Sequence, residues 1–219
     1  MYNKFFKRFI DITLSLFSLV LLSPLFLVLS IAIKIDSRGP VFFKQKRIGR
    51  YRKHFIMLKF RTMRVDTPRD TPTHLFEDPE KYVTCIGRVL RKSSLDEIPQ
   101  IINILISHMS IIGPRPALWN QYDLLEERDK YGANDIKPGL TGWAQINGRD
   151  ELPIIVKAAY DGEYVQRISF LFDLECLLRT VLNTIKGKGI VEGTSINKKN
   201  ADPNVCFIKE EHDEADKES

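Results

Sequence analysis

The sequence predicts an α+β fold: an apolar N-terminal membrane helix, a small β-hairpin, and amphipathic helices that close a compact domain. Three observations carry that expectation. Ile12 to Ile33 is 22 residues without a charge, interrupted by Ser23-Pro24. Apolar and basic residues alternate through Val41–Gly49 and again through His54–Met63, the pattern of two strands joined near Gly49 to Lys53. Apolar residues then recur at helical spacing, as Ile98, Ile101, Ile102 and Leu105 and across Ser169–Lys186.

Taken in chain order, the uncharged run comes first. As a helix it extends roughly 33 Å at 1.5 Å per residue, which is bilayer length. It is too long for the apolar core of a secretory signal, and no small-residue cleavage site precedes Lys34, so cleavage is not expected. A plain span would leave one flank poor in Lys and Arg. Instead both flanks are basic, with Lys4, Lys7 and Arg8 before the run and Lys34, Arg38, Lys44, Lys46 and Arg47 after it. Pro24 removes a backbone donor and predicts a kink, and Ser23 can bond a freed carbonyl. The residues alone leave open a kinked spanning helix and a re-entrant one.

After the hairpin, Asp66–Glu80 carries three prolines and reads as a surface loop. Ile86–Ile106 reads as helical, with Ser94 as a cap followed three residues later by Glu97. Gly113-Pro-Arg-Pro116 is expected to be a rigid extended loop. Trp119–Lys130 reads as a helix and Lys137–Arg149, rich in glycine, as a structured loop. Ser169–Lys186 closes the order as an amphipathic helix, whose broad face ordinarily packs on a core and can alternatively lie in a headgroup layer. The boundaries implied are an anchor over 1–37, a main domain over 38–194 and an acidic, flexible tail over 195–219. No internal repeat is present.

With 219 residues, 43% of them hydrophobic and 28% charged, the chain is one ordinary domain rather than a disordered polymer. Its net +5 hides two asymmetries. The first 64 residues hold 14 Lys and Arg against Asp11 and Asp36, whereas Ala201–Ser219 holds two Lys against seven acids. Cys85, Cys176 and Cys206 are widely spaced and odd in number, which argues against a disulfide framework or a zinc site and for a reducing compartment. The positive charge is joined to an apolar segment without a nucleic-acid motif, so nucleic acid is not an expected partner.

There is no P-loop, no GxGxxG and no HExxH, and the four histidines lack ligand spacing. What remains is carboxylates among cations, in Lys59-Phe-Arg61, Arg91-Lys-Ser-Ser-Leu-Asp96-Glu97 and Gly113-Pro-Arg115-Pro116. Adjacent carboxylates can divide labour, one attacking phosphorus and one holding Mg²⁺. Acids in the first turn of a helix also simply meet its dipole. Arginines such as Arg91 and Arg115 suit bidentate phosphate binding.

Lys59-Phe-Arg-Thr-Met63, Ser94-Leu-Asp-Glu97, Met109–Pro116, Lys137–Arg149 and Ile168–Leu174, in that order, resemble the bacterial sugar transferases, the monotopic phosphoglycosyl transferases. The resemblance covers about Tyr2 to Gly193, in the family's short form. It implies that the helix broken at Ser23 and Pro24 is re-entrant and that a compact, membrane-associated domain faces the cytoplasm at the bacterial inner membrane. It implies that Asp96 attacks the sugar-linked phosphate of a UDP-sugar and releases UMP, and that polyprenyl (undecaprenyl) phosphate then takes the phosphosugar. Glu97 matches the family's Mg²⁺ ligand, Arg91 and Arg115 its phosphate-binding arginines, and Lys59 an active-site lysine. Pro114, Arg115 and Pro116 match the loop that contacts uridine. Short members commonly use N-acetylated or deoxyamino UDP-sugars, which sets that expectation here. The competing readings are a Mg²⁺-dependent nucleotide-sugar hydrolase and a membrane-bound scaffold without turnover.

Overall fold

The computed structural model describes residues 2–67, 79–148 and 152–185. The tail from 195 onward, and most of the loop expected at Asp66–Glu80, lie outside the described residues.

A π-helical turn, Tyr2–Phe6, leads into α1 (Lys7–Leu21), and α2 (Ser23–Asp36) follows at a bend of 61°. Ser23 and Pro24 make this break as expected. Pro24 sits in the first turn of α2, where its missing N–H costs no helical bond, and Ser23 Oγ donates to Val20 O at 2.8 Å. Among the described residues no single helix is long and apolar enough to cross a membrane; the bent pair meets the length and composition together. Phe9, Leu16, Phe17, Val20, Leu21, Leu27, Val28 and Ile31 are all exposed.

The hairpin forms as the alternation predicts. Strands β1 (Phe42–Ile48) and β2 (His54–Phe60) pair antiparallel with Phe42 opposite Phe60 and Ile48 opposite His54. Phe55 and Met57 of β2 pack on Ile104 and Met109, while Phe60 packs on Ile33 and Leu90. The strand thereby faces both the end of α2 and the helices that follow.

The helix expected over Ile86–Ile106 is divided. Its pieces are α3 (Cys85–Lys92), a single 3₁₀ turn at Leu95–Glu97, and α4 (Gln100–Leu105). Thr84 caps α3 by accepting from Gly87 N at 3.0 Å. Ser94 does not cap anything with its side chain: it adopts φ 56°, a left-handed conformation that turns the chain, and Pro99 interrupts the backbone donors again. Lys137–Arg149, expected as a loop, contains β4 (Gly139–Thr141) and α6 (Trp143–Ile146). Here β4 runs parallel to β3 (Ser110–Ile112). The close pass explains the glycines: a Cβ on Gly142 would stand 2.0 Å from Gly113 O.

Two helices complete the domain after α5 (Tyr122–Asp129), which begins three residues later than the expected Trp119. They are α7 (Ile154–Arg167), which the sequence reading did not single out, and α8 (Phe170–Ile185). Phe172 and Cys176 of α8 join Ile112, Trp143 and Tyr164 in a core. Its broad apolar face does not: Phe170, Leu171, Leu174, Leu178, Val181 and Leu182 are exposed, Leu171 at 75%. Cys176 is buried and free, whereas Cys85 is disulfide-bonded, against the expectation drawn from three widely spaced cysteines.

Buried polar contacts fasten α1 to this domain. Lys7 Nζ meets Asp173 Oδ2 at 2.5 Å and donates to Tyr164 at 3.0 Å, and Tyr2 donates to the same carboxylate at 2.6 Å. Arg8 donates to Ile104 O and Leu105 O at the end of α4, and Asp11 accepts from Ser110 Oγ and Ile111 N.

Candidate active site

The turn opened by Ser94 presents the acid pair. Leu95 and Ile98, on either side, pack against the cluster of Ile33, Phe60 and Leu90, so the apolar neighbours hold the turn while the carboxylates meet cations. Lys59, next to Phe60 in β2, donates to Glu97 Oε1 at 2.9 Å and lies 3.8 Å from Asp96 Oδ2. Arg115 reaches the same Glu97 Oε1 at 2.9 Å from the loop beyond β3. The side chains of Lys59, Asp96 and Glu97 are 12, 7 and 19% exposed, so this is a partly desolvated ion cluster rather than a surface pair.

The electrostatics of Glu97 follow from that packing. Burial pushes its carboxyl upward, but Arg115 and Lys59 together outweigh burial and hold it well below the usual carboxylate range. Glu97 stays ionised with Oε1 bridged by two cations. Its second oxygen has no hydrogen-bond partner among the described residues.

Neighbouring segments fix the members. The carboxamide of Asn103 accepts from Leu58 N at 2.9 Å and donates to Ile56 O at 2.7 Å, completing the free edge of β2 and tying it to α4. Arg91, in the last turn of α3, donates from Nε to Thr62 Oγ1 at 3.0 Å; its terminal nitrogens have no partner among the described residues. The Pro114-Arg115-Pro116 loop is held at both ends, by Gly139 N donating to Pro114 O at 2.8 Å and Arg47 donating to Pro116 O at 3.0 Å. The structure therefore brings Lys59, Asp96, Glu97 and Arg115 into one cluster, with Pro114 and Pro116 flanking it and Arg91 secured to the segment after β2. Ser23 and Pro24 stand at the helix bend.

Asn103, Thr62 and Arg47 were not among the sequence candidates. Asn103 carried a usable signal, a lone amide inside an apolar helical stripe. Thr62 lies within Lys59-Phe-Arg-Thr-Met63 but had no role of its own there, and Arg47 carried no signal, because the partners of both are distant in sequence.

A fixed cation bracket beside two carboxylates is suited to stabilising transferring phosphoryl charge. No group of three or more His, Cys, Asp or Glu is placed to hold a metal among the described residues. One free carboxylate oxygen is nevertheless the donor type Mg²⁺ takes when substrate phosphates supply further ligands. The sequence profile of the family described as Bacterial sugar transferase matches residues 2–187, which include every member of this cluster. The chain belongs to the bacterial sugar transferase family.

This sugar transferase is 40% identical over 184 residues to the "Uncharacterized sugar transferase EpsL" of Bacillus subtilis (strain 168), covering 84% of this chain and 89% of that protein. It is 39% identical over 194 residues to the UDP-glucose:undecaprenyl-phosphate glucose-1-phosphate transferase of Escherichia coli (strain K12), covering 85% of this chain and 41% of that one. It is 32% identical over 190 residues to the UDP-N-acetylgalactosamine-undecaprenyl-phosphate N-acetylgalactosaminephosphotransferase of Aeromonas hydrophila, covering 84% and 45%. The sugar transferase spans less than half of these two longer relatives.

Proposed function

We propose that this sugar transferase moves a sugar 1-phosphate from a UDP-sugar to undecaprenyl phosphate at the cytoplasmic face of the bacterial inner membrane, opening the assembly of a surface polysaccharide or glycoconjugate. The observation that carries the reading is the partly buried bracket of Lys59 and Arg115 on Glu97, with buried Asp96 beside it. The names of the relatives support both substrate classes, with glucose in one and N-acetylgalactosamine in another.

The mechanism follows from the residues. An Asp96 oxygen attacks the sugar-linked phosphorus of the UDP-sugar, the bond from that phosphorus to the bridging oxygen breaks, and UMP leaves with that oxygen. The phosphosugar is then an acyl phosphate on Asp96. An oxygen of undecaprenyl phosphate attacks the same phosphorus, the Asp96 oxygen departs, and the lipid carries a diphosphate-linked sugar. Two half-reactions at one carboxylate let a soluble and a lipid substrate take turns. Lys59, Arg115 and the terminal nitrogens of Arg91 neutralise phosphate oxygens, and Pro114 and Pro116 hold Arg115 in place. Glu97 would hold Mg²⁺, and the ion would supply further neutralisation of the leaving UMP.

The anchor reading rests on the 61° bend, the exposed apolar surface of α1 and α2, and basic flanks at both ends: the pair enters the bilayer and returns to the same side. The exposed face of α8 lies beside it, joined through the Tyr2 and Lys7 contacts to Asp173, and suits the headgroup layer.

The test is a half-reaction. Enzyme, Mg²⁺ and sugar-labelled UDP-glucose or UDP-N-acetylgalactosamine are mixed without lipid. Label should become covalently attached to Asp96, and UMP should reach about one equivalent and then stall until undecaprenyl phosphate is added. Steady UMP release without lipid would make the protein a hydrolase, and no release with any sugar would leave a scaffold.

A further inference from the structure

The exit of the bent helix pair is fastened by two side chains to the two elements that carry Lys59 and Arg91. Arg61 follows β2 immediately, two residues after Lys59, and is 5% exposed. Its Nη1 donates to Arg38 O at 2.8 Å; its Nη2 donates to Ser37 O at 2.7 Å, Ser37 Oγ at 2.9 Å and Ile33 O at 3.3 Å. A guanidinium there takes the carbonyls of Ser37 and Arg38 just past α2, shares Ile33 O with Ser37 N, and sits at the negative end of the helix dipole. The backbone makes room for it: Gly39 has φ 127°, and a Cβ at that position would fall 2.1 Å from Arg61 Nη1.

Asp36, the last residue of α2, makes the second tie. Its carboxylate accepts from Ile86 N at 3.0 Å, in the first turn of α3. Arg91 lies in the last turn of that helix and bonds back to Thr62, the neighbour of Arg61. A closed circuit results, from the end of α2 through Arg61 to β2 and through Asp36 to α3, with Arg91 and Thr62 joining the two arms.

We infer that Arg61 and Asp36 are positioning residues: they set Lys59 and Arg91 for phosphate by clamping both to the point where the anchor leaves the membrane. The inference rests on the transfer reading above. It adds that the phosphate cradle is assembled against the anchor and is not a property of the main domain alone.

The experiment uses the full chain in nanodiscs, with Asp96→Asn in every sample so that bound UDP-sugar is not consumed. Calorimetry gives Kd and the number of sites; thermal melting and retention in the nanodisc report fold and insertion. Arg61→Lys keeps the charge but replaces the fork by one point donor. Gly39→Ala leaves Arg61 intact and displaces it. Both should weaken UDP-sugar binding about tenfold to a hundredfold, the scale of a small misplacement of binding groups, with Tm lowered by the lost buried hydrogen bonds and the strain at residue 39 but the number of sites at 25 °C unchanged. Asp36→Ala should weaken binding in the same way, and Asp36→Asn, which keeps the acceptor for Ile86 N, should restore it to within about twofold. A purely structural role predicts fewer sites at unchanged Kd; that result, or unchanged Kd and site number, overturns the inference. Binding that responds to the clamp in an enzyme whose Asp96 form shows no transfer would remove the transfer reading and keep the clamp. A chain that binds no UDP-sugar would end both.

Discussion

Replacing Lys59 with Met is the most direct probe of the ion cluster. Lys59 Nζ stands 2.9 Å from Glu97 Oε1 and 3.8 Å from Asp96 Oδ2. A contact at the longer distance corresponds to roughly 4 kcal/mol of Coulomb attraction at an effective dielectric of about 20. Methionine retains most of the stem that packs beside the turn and deletes the charge, leaving Arg115 on Glu97. Losing one charged hydrogen bond while the second cation stays is expected to cost about 2–3 kcal/mol of stability, or about 4–12 °C in Tm for a chain of this size. Activity should fall further in proportion, because in the proposed reaction the lost charge faces the transferring phosphoryl group: about 10²- to 10³-fold in kcat/KM. Initial rates of UMP release at 25 °C, below the melting range of both proteins, separate the two effects. The pH dependence has a definite sign. Glu97 is depressed below its ordinary value of 4.5 in the folded protein, so its contribution to stability is present above that value and is lost as the pH falls below it. The difference in Tm between parent and Lys59→Met should therefore shrink on acidification. A variant within threefold of the parent in kcat/KM, with an unchanged Tm, would refute the assignment of Lys59 to the site.

Two further outcomes test the frame around it. Cysteines placed at residues 3 and 40 should both be labelled only from the cytoplasmic side, and Pro24→Ala, which restores a helical donor at the bend, should expose the residue 3 probe on the other side; periplasmic labelling in the parent would sink the re-entrant topology. The buried pair of Arg128 and Asp161, 2.7 Å apart, should lose about 3–5 kcal/mol on Arg128→Met, read as a fall of roughly 6–20 °C in Tm, and the double change with Asp161→Leu should recover most of it. Burial raises the Asp161 carboxyl more than Arg128 lowers it, so this group's contribution is fullest below its ordinary 3.8 and declines as pH rises through the folded value. A double change no more stable than the single one would show that the surrounding packing, not the charge, sets the cost.

Much of this was readable because the controlling signals are local. Ser23-Pro24 announces a break wherever it falls in a helix, and the alternation on either side of Gly49 identifies two strands without knowledge of the rest. The misreadings share the opposite property. Strands β3 and β4 have three residues each, too few for a period, and their parallel pairing joins segments far apart in sequence. The face that α8 buries is chosen by Asp173, whose partners Tyr2, Lys7 and Tyr164 come from elsewhere in the chain. Once that carboxylate is turned inward, the larger apolar stripe is left outside, the reverse of what hydrophobicity alone suggests.

The missed break at Ser94 is the most consequential of these, because the chemistry depends on it. An uninterrupted helix would carry Asp96 and Glu97 onward along the axis of Cys85–Lys92. The left-handed Ser94 ends that course, and the 3₁₀ turn of Leu95–Glu97 stands with Glu97 Oε1 2.9 Å and Asp96 Oδ2 3.8 Å from Lys59 Nζ. A serine at positive φ costs on the order of 1 kcal/mol, an expense that helix periodicity cannot reveal and that Leu95 and Ile98 offset by burying against Phe60 and Leu90. Apolar residues on both sides of the acid pair thus read as helix in the sequence, yet in the fold they are what hold the helix broken.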